Sequence, residues 1–99
     1  MTKVKDIVAR LRQDFPENIA SQGDPVGMQI GSMEADVTKV MTTLDVRPQV
    51  VEEAVEKGVD FIVSHHPVMF RPAQNLDFAN AQNAMYGNII KNGITVYSI

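Results

Sequence analysis

The chain has 99 residues, of which 44% are hydrophobic and 21% charged, so it can form one small domain or one piece of a larger one. It contains no cysteine, which excludes a disulfide framework, a thiolate zinc site and a cysteine nucleophile. Nine basic against twelve acidic residues leave a net charge of −3, which gives no electrostatic footprint for nucleic acid or an acidic membrane surface.

Val4, Ile7, Val8 and Leu11 recur at helical spacing, with Lys5, Asp6, Arg10 and Arg12 on the other face. This predicts an amphipathic helix over residues 3–14. Its basic residues are interleaved with apolar ones, unlike a secretory signal. No run approaches the roughly 18 apolar residues of a membrane span. The expectation is a cytoplasmic protein without a membrane segment. Phe15-Pro16 ends the helix, because proline disfavours a helical residue before it. Residues 16–25 are rich in turn formers and read as a loop. Val26 to Ile30 is a short strand candidate.

Val37 to Val46 reads as a stronger strand, rich in valine and threonine. Pro48 then suits the first turn of a helix carrying Val50, Val51, Ala54 and Val55 on one side, with Gly58 as its stop. Asp60 to Ser64 reads as the next strand, with apolar residues at the consecutive positions 61–63, as in a strand buried on both faces. Residues 65–77, with Pro67 and Pro72, are irregular. Ala79 to Asn92 reads as a helix and Ile94 to Ile99 as a last strand. The expected fold class is α/β, a parallel-sheet β-α-β-α-β core preceded by an N-terminal helix. The chain stops inside a buried-looking strand, so the expectation is that residues 1–99 are the N-terminal portion of a longer protein.

The sharpest chemical feature is Ser64-His65-His66-Pro67, which holds both histidines of the chain. They follow directly on a buried strand, and ligands of open α/β sheets gather at strand carboxyl ends. Two imidazoles there can each offer a nitrogen to a metal. Adjacent side chains on extended backbone point to opposite sides, so one ion is reached only across a kink, and two neighbouring ions are the alternative. Imidazoles that simply hydrogen-bond at the strand end are the plain alternative. Asp45, at the end of the preceding strand, could ligate a metal or orient an imidazole. Its simplest reading is a helix cap ahead of Pro48. Asp24, in Gly23-Asp24-Pro25-Val26-Gly27, reads as turn chemistry. Gly23, Gly27 and Gly31 do not form a phosphate loop. The six methionines read as core filling.

Asp24-Pro25-Val26-Gly27-Met28-Gln29-Ile30-Gly31, Leu44-Asp45-Val46 and Val50-Val51-Glu52-Glu53-Ala54 come in an order that resembles the NIF-three-like family. Gly58-Val59-Asp60, Tyr86-Gly87, Ile94-Thr95-Val96-Tyr97-Ser98 and above all Ile62-Val63-Ser64-His65-His66-Pro67 extend the likeness over essentially the whole chain. Many of these proteins are called GTP cyclohydrolase type 2-like. The resemblance implies an α/β fold of two related halves and a cleft with two divalent metal ions, whether zinc, iron or manganese. It makes His65 and His66 metal ligands. It places the remaining ligands, an aspartate, a histidine and a glutamate, beyond the last strand. It also implies ring-like homo-oligomers and hydrolase-like chemistry on a nucleotide or other small molecule, with the 99-residue chain alone inactive. The other reading is a metal- or partner-binding regulatory protein without turnover. One departure stands out: many members read Trp-Asp-Asn-x-Gly where this chain has Gly23-Asp24-Pro25-Val26-Gly27.

Overall fold

The computed structural model describes residues 2–14, 27–67 and 75–99. Helix α1 spans Val4–Asp14, followed by strands β1 (Gly27–Ile30) and β2 (Val40–Thr43). Helix α2 (Pro48–Glu56), strand β3 (Phe61–Ser64), helix α3 (Ala81–Lys91) and strand β4 (Thr95–Ser98) complete the order. The four strands form one sheet in the order β1-β4-β3-β2. β2, β3 and β4 run parallel, as the alternation of elements predicts. β1 joins the other edge antiparallel to β4, so the sheet is mixed. No helix among the described residues is long and apolar enough to cross a membrane.

The two faces of the sheet bury two separate sets of side chains. On one face Ile62 and Val96 pack with Val51 and Ala54 of α2 and with Met85, Tyr86 and Ile89 of α3. On the other, Phe61, Val63 and Tyr97 pack with Val4 and Val8 of α1. β3 and β4 are therefore buried on every residue. This is why their sequences run apolar without alternation. β2 is an edge strand with Val40 and Thr42 exposed.

The strand expected over residues 37–46 is only four residues long. Its front is taken by Asp60, whose carboxylate accepts hydrogen bonds from the Thr38 N–H at 2.9 Å, the Thr38 hydroxyl at 2.8 Å and the Lys39 N–H at 3.0 Å. Those donors are no longer offered to a ladder. Its end gives way to a bend at Leu44 and Asp45. The helix expected from Ala79 begins instead at Ala81, because Asn80 caps it by accepting from Gln82 N at 2.8 Å and Asn83 N at 3.3 Å. Gly31, at φ +107°, lies so close to Thr95 that an added Cβ would sit 2.8 Å from the Thr95 Cα. Glycine is required there both by the backbone angle and by the close approach.

Asp60 sets the acid limit of this arrangement. Burial pushes its carboxyl up, but the hydrogen bonds from Lys39 and Thr38 outweigh burial and hold it below the ordinary carboxylate value. A lowered folded value means that its stabilisation is full above the unfolded value of about 3.9 and is lost as pH falls through the folded one. Asp60→Ala should cost roughly 1–3 kcal/mol in urea unfolding at pH 7. The gap between variant and wild type should narrow below about pH 4. Equal stability of the two proteins at pH 7 would sink the idea.

Candidate metal-binding edge

The register of the parallel strands decides where the chemistry-bearing residues stand. Thr43, Ser64 and Ser98 are partners across the three strands, so β2, β3 and β4 end level. The ladder continues one step past each end. The His65 N–H donates to Thr43 O at 3.0 Å, the His66 N–H to Leu44 O at 2.9 Å and the Ile99 N–H to Ser64 O at 2.9 Å. His65, His66 and Asp45 are thus brought to one carboxyl edge, where a parallel sheet gathers ligands.

Asp45 does not cap α2. Arg47 occupies the cap position, without a side-chain hydrogen bond. The Asp45 carboxylate turns instead to His66, with Oδ1 at 2.8 Å from Nδ1. Its Oδ2 lies 3.7 Å from Nη2 of Arg47. The hydrogen bond from His66 lowers the Asp45 carboxyl below its ordinary value, and Arg47 adds to this. The group is therefore ionised near neutral pH and can only accept. Nδ1 of His66 must carry the hydrogen, which leaves the lone pair of a neutral ring on Nε2. The helix-cap reading of Asp45 is overturned, and the orienting reading holds.

The two imidazoles do not point to opposite sides as in a plain strand. Their centroids are 5.0 Å apart and the planes are tilted by 50°. Both side chains are exposed. The turn that brings them together rests on Ser64, whose hydroxyl donates to the His66 carbonyl at 2.7 Å. Ser64 Oγ lies 2.7 Å from Ser98 Oγ, and both residues are fully buried. Sequence reading missed this pair. The signal was there in the two serines that close the strand runs Phe61-Ile62-Val63 and Thr95-Val96-Tyr97.

Among the described residues no three histidine, aspartate or glutamate side chains form a group that could hold a metal ion. The donor set at the edge is two exposed imidazoles, one already oriented by a carboxylate. That fits the open part of a metal site, since a carboxylate behind a ligating histidine is a recurring arrangement. A complete catalytic zinc site takes about three protein ligands, so further donors are needed. Asp24 and Pro72 lie outside the described residues. A cavity of about 380 Å³ beside Ile30, Ala35, Ile94 and Thr95 holds none of the candidate residues.

The tautomer is directly measurable. Nitrogen-15 spectra of the neutral imidazoles should show His66 with its proton on Nδ1. Asp45→Ala should move that proton to Nε2. A wild-type His66 protonated on Nε2 would show that the Asp45 contact does not order the ring.

Comparison with known proteins agrees with the fold. The family model Duf34/NIF3 (NGG1p interacting factor 3) matches residues 2–99. A Listeria innocua protein named GTP cyclohydrolase 1 type 2 homolog is 47% identical over 94% of this chain, which covers 25% of that protein. The crystal structure of a Bacillus cereus protein related to NIF3 superposes with a TM-score of 0.92 at 32% identity, over 98% of this chain and 27% of that one. A Staphylococcus aureus protein of known structure gives 0.92 at 35% identity, over 98% of this chain and 28% of its own. The chain spans about a quarter of the length of these relatives. On the match along its whole described length and the agreement of fold, the chain belongs to the Duf34/NIF3 family.

Proposed function

We propose that His65 and His66 are ligands of a dinuclear divalent-metal centre, and that the 99 residues are the front portion of a protein with hydrolase-like, GTP cyclohydrolase type 2-like chemistry. The observation that carries this is the pair of exposed imidazoles 5.0 Å apart, one of them oriented by Asp45, at the carboxyl edge of a parallel sheet. Relatives named GTP cyclohydrolase 1 type 2 homolog support the choice of a nucleotide as the first substrate to try. A homo-oligomer in the cytoplasm is the working form that the resemblance implies.

The residues at the edge have distinct tasks in this reading. Nε2 of His66 is the donor atom, because Nδ1 is held by Asp45. His65, tilted away by 50°, offers its ring from a second direction and suits a neighbouring ion. Asp45 keeps negative charge behind His66, which makes its ring a stronger donor. When bound, two such ions supply a Lewis acid and a water of lowered pKa. Zinc, iron and manganese all accept imidazole with carboxylate, so the donors alone do not choose among them.

Titration with Co²⁺ tests the ligand assignment, because the paramagnetic ion broadens resonances of the groups it touches. His65 and His66 ring signals should be lost first, and His66→Ala should weaken binding by roughly ten-fold or more. Rings that stay sharp while Co²⁺ binds elsewhere would overturn the assignment. The 99-residue chain should not turn over GTP with any of the three metals. Turnover that is lost on His66→Ala would show that it carries a complete site. Metal binding without turnover on any nucleotide in a longer relative would favour a regulatory role.

A further inference from the structure

We infer that Ser64 is a positioning residue that sets the angle between the two imidazoles, with Ser98 as the second member of a buried hydroxyl relay. The inference rests on the proposed metal-ligand role of His65 and His66 for its binding readout, though not for its geometry.

Backbone in a strand sends successive side chains to opposite faces. His65 and His66 escape this rule because the chain turns sharply after Ser64. Two things make the turn. The His65 and His66 N–H groups stay tied to Thr43 O and Leu44 O of the β2 side. The His66 carbonyl is then drawn back over the end of β3 by the Ser64 hydroxyl at 2.7 Å. A carbonyl can only accept, so Ser64 must spend its one proton there. Ser64 Oγ has lone pairs left, and the Ser98 hydroxyl donates into one of them at 2.7 Å. The proton order is fixed along the line from Ser98 to Ser64 to His66 O.

The alternative route from Ser98 directly to His66 O is 3.4 Å, long for a hydroxyl donor. Ser98 therefore cannot replace Ser64 without a shift of β4 or of the turn. Both hydroxyls are 0% exposed, so water does not substitute readily. Ser64 acts through the backbone carbonyl of His66, and Ser98 reaches it through Ser64.

The test compares Ser64→Ala with Ser98→Ala in the full chain. Ser64→Ala removes the donor to His66 O, whereas Ser98→Ala leaves it in place. Packing alone predicts similar effects, because each variant deletes one buried oxygen from adjoining positions. The expected result is unequal. Ser64→Ala should weaken Co²⁺ binding by roughly ten-fold or more, in the range seen when supports of metal ligands are removed. Ser98→Ala should change it by about three-fold or less. Thermal unfolding of both variants checks that they fold. The metal-free readout is the set of proton–proton nuclear Overhauser contacts between the His65 and His66 rings, which Ser64→Ala should weaken and Ser98→Ala should keep. Unchanged ring contacts in Ser64→Ala, or equal loss in both variants, overturn the inference. If wild-type His65 and His66 ignore Co²⁺, the metal reading fails and the ring contacts alone decide. A Ser64→Ala chain that does not fold leaves Ser98→Ala to decide: loss of ring contacts there overturns the inference.

Discussion

Level ending of the three parallel strands is the constraint on which the rest depends. Thr43, Ser64 and Ser98 stand side by side, and the ladder runs one residue further before the chains part. A slip of one residue would send every side chain of a strand to the opposite face. It would bury the set that packs on α1 against α2 and α3 instead, and would part Asp45 from His66. The apolar burial of both sheet faces thus enforces the geometry of a polar edge it never touches. The site is held in register by Ile62, Val96, Phe61 and Tyr97 as much as by its own hydrogen bonds.

Polar order at that edge has two layers. Asp45 acts on the His66 ring from the side, through Nδ1. Ser64 acts on the same residue from beneath, through its carbonyl. Ring and backbone of one residue are thereby fixed independently, while the hydrogen bond described for His65 is that of its backbone N–H. The asymmetry suits two adjacent imidazoles with different tasks. Arg47 extends the charged line outward from Asp45 across a looser 3.7 Å contact, exposed to solvent. Such exposed pairs contribute little to stability, so Arg47 is free to answer to other partners.

Much of the fold is legible in the sequence, and particular residues show why. The unbroken apolar runs of β3 and β4 reveal strands buried on both faces, and Pro48 marks the start of α2. The helical stripe of α1 is likewise plain from Val4 and Val8. The antiparallel pairing of β1 is not legible, because four residues of mixed character carry no sign of direction. The length of β2 is misread because Thr38 looks like a strand residue, while its N–H is claimed by Asp60 from the far end of a helix. The histidine pair is conspicuous in the sequence, yet its tilt is invisible there. That tilt depends on the turn that the Ser64 hydroxyl holds at the His66 carbonyl, and no residue pattern announces such a turn. Asp45 misleads for a similar reason: a carboxylate shortly before Pro48 suits a helix cap, and only the neighbouring strand offers it a better partner.

The order of strands also governs the order of assembly. β4 lies between β1 and β3, although it is the last of the four along the chain. β1 finds a hydrogen-bonding partner only when Gly27 meets Ser98, across most of the chain. Closing so long a loop is entropically costly and slow compared with forming a hairpin. On a ribosome, α1 and β1 must wait with their apolar faces unmatched while β2, α2 and β3 emerge and begin to pair. The central strand arrives last and closes both halves of the sheet at once. Until then the edges of β1 and β3 that will receive it stay open to other chains, so this sheet has its greatest need of a chaperone just before β4 appears.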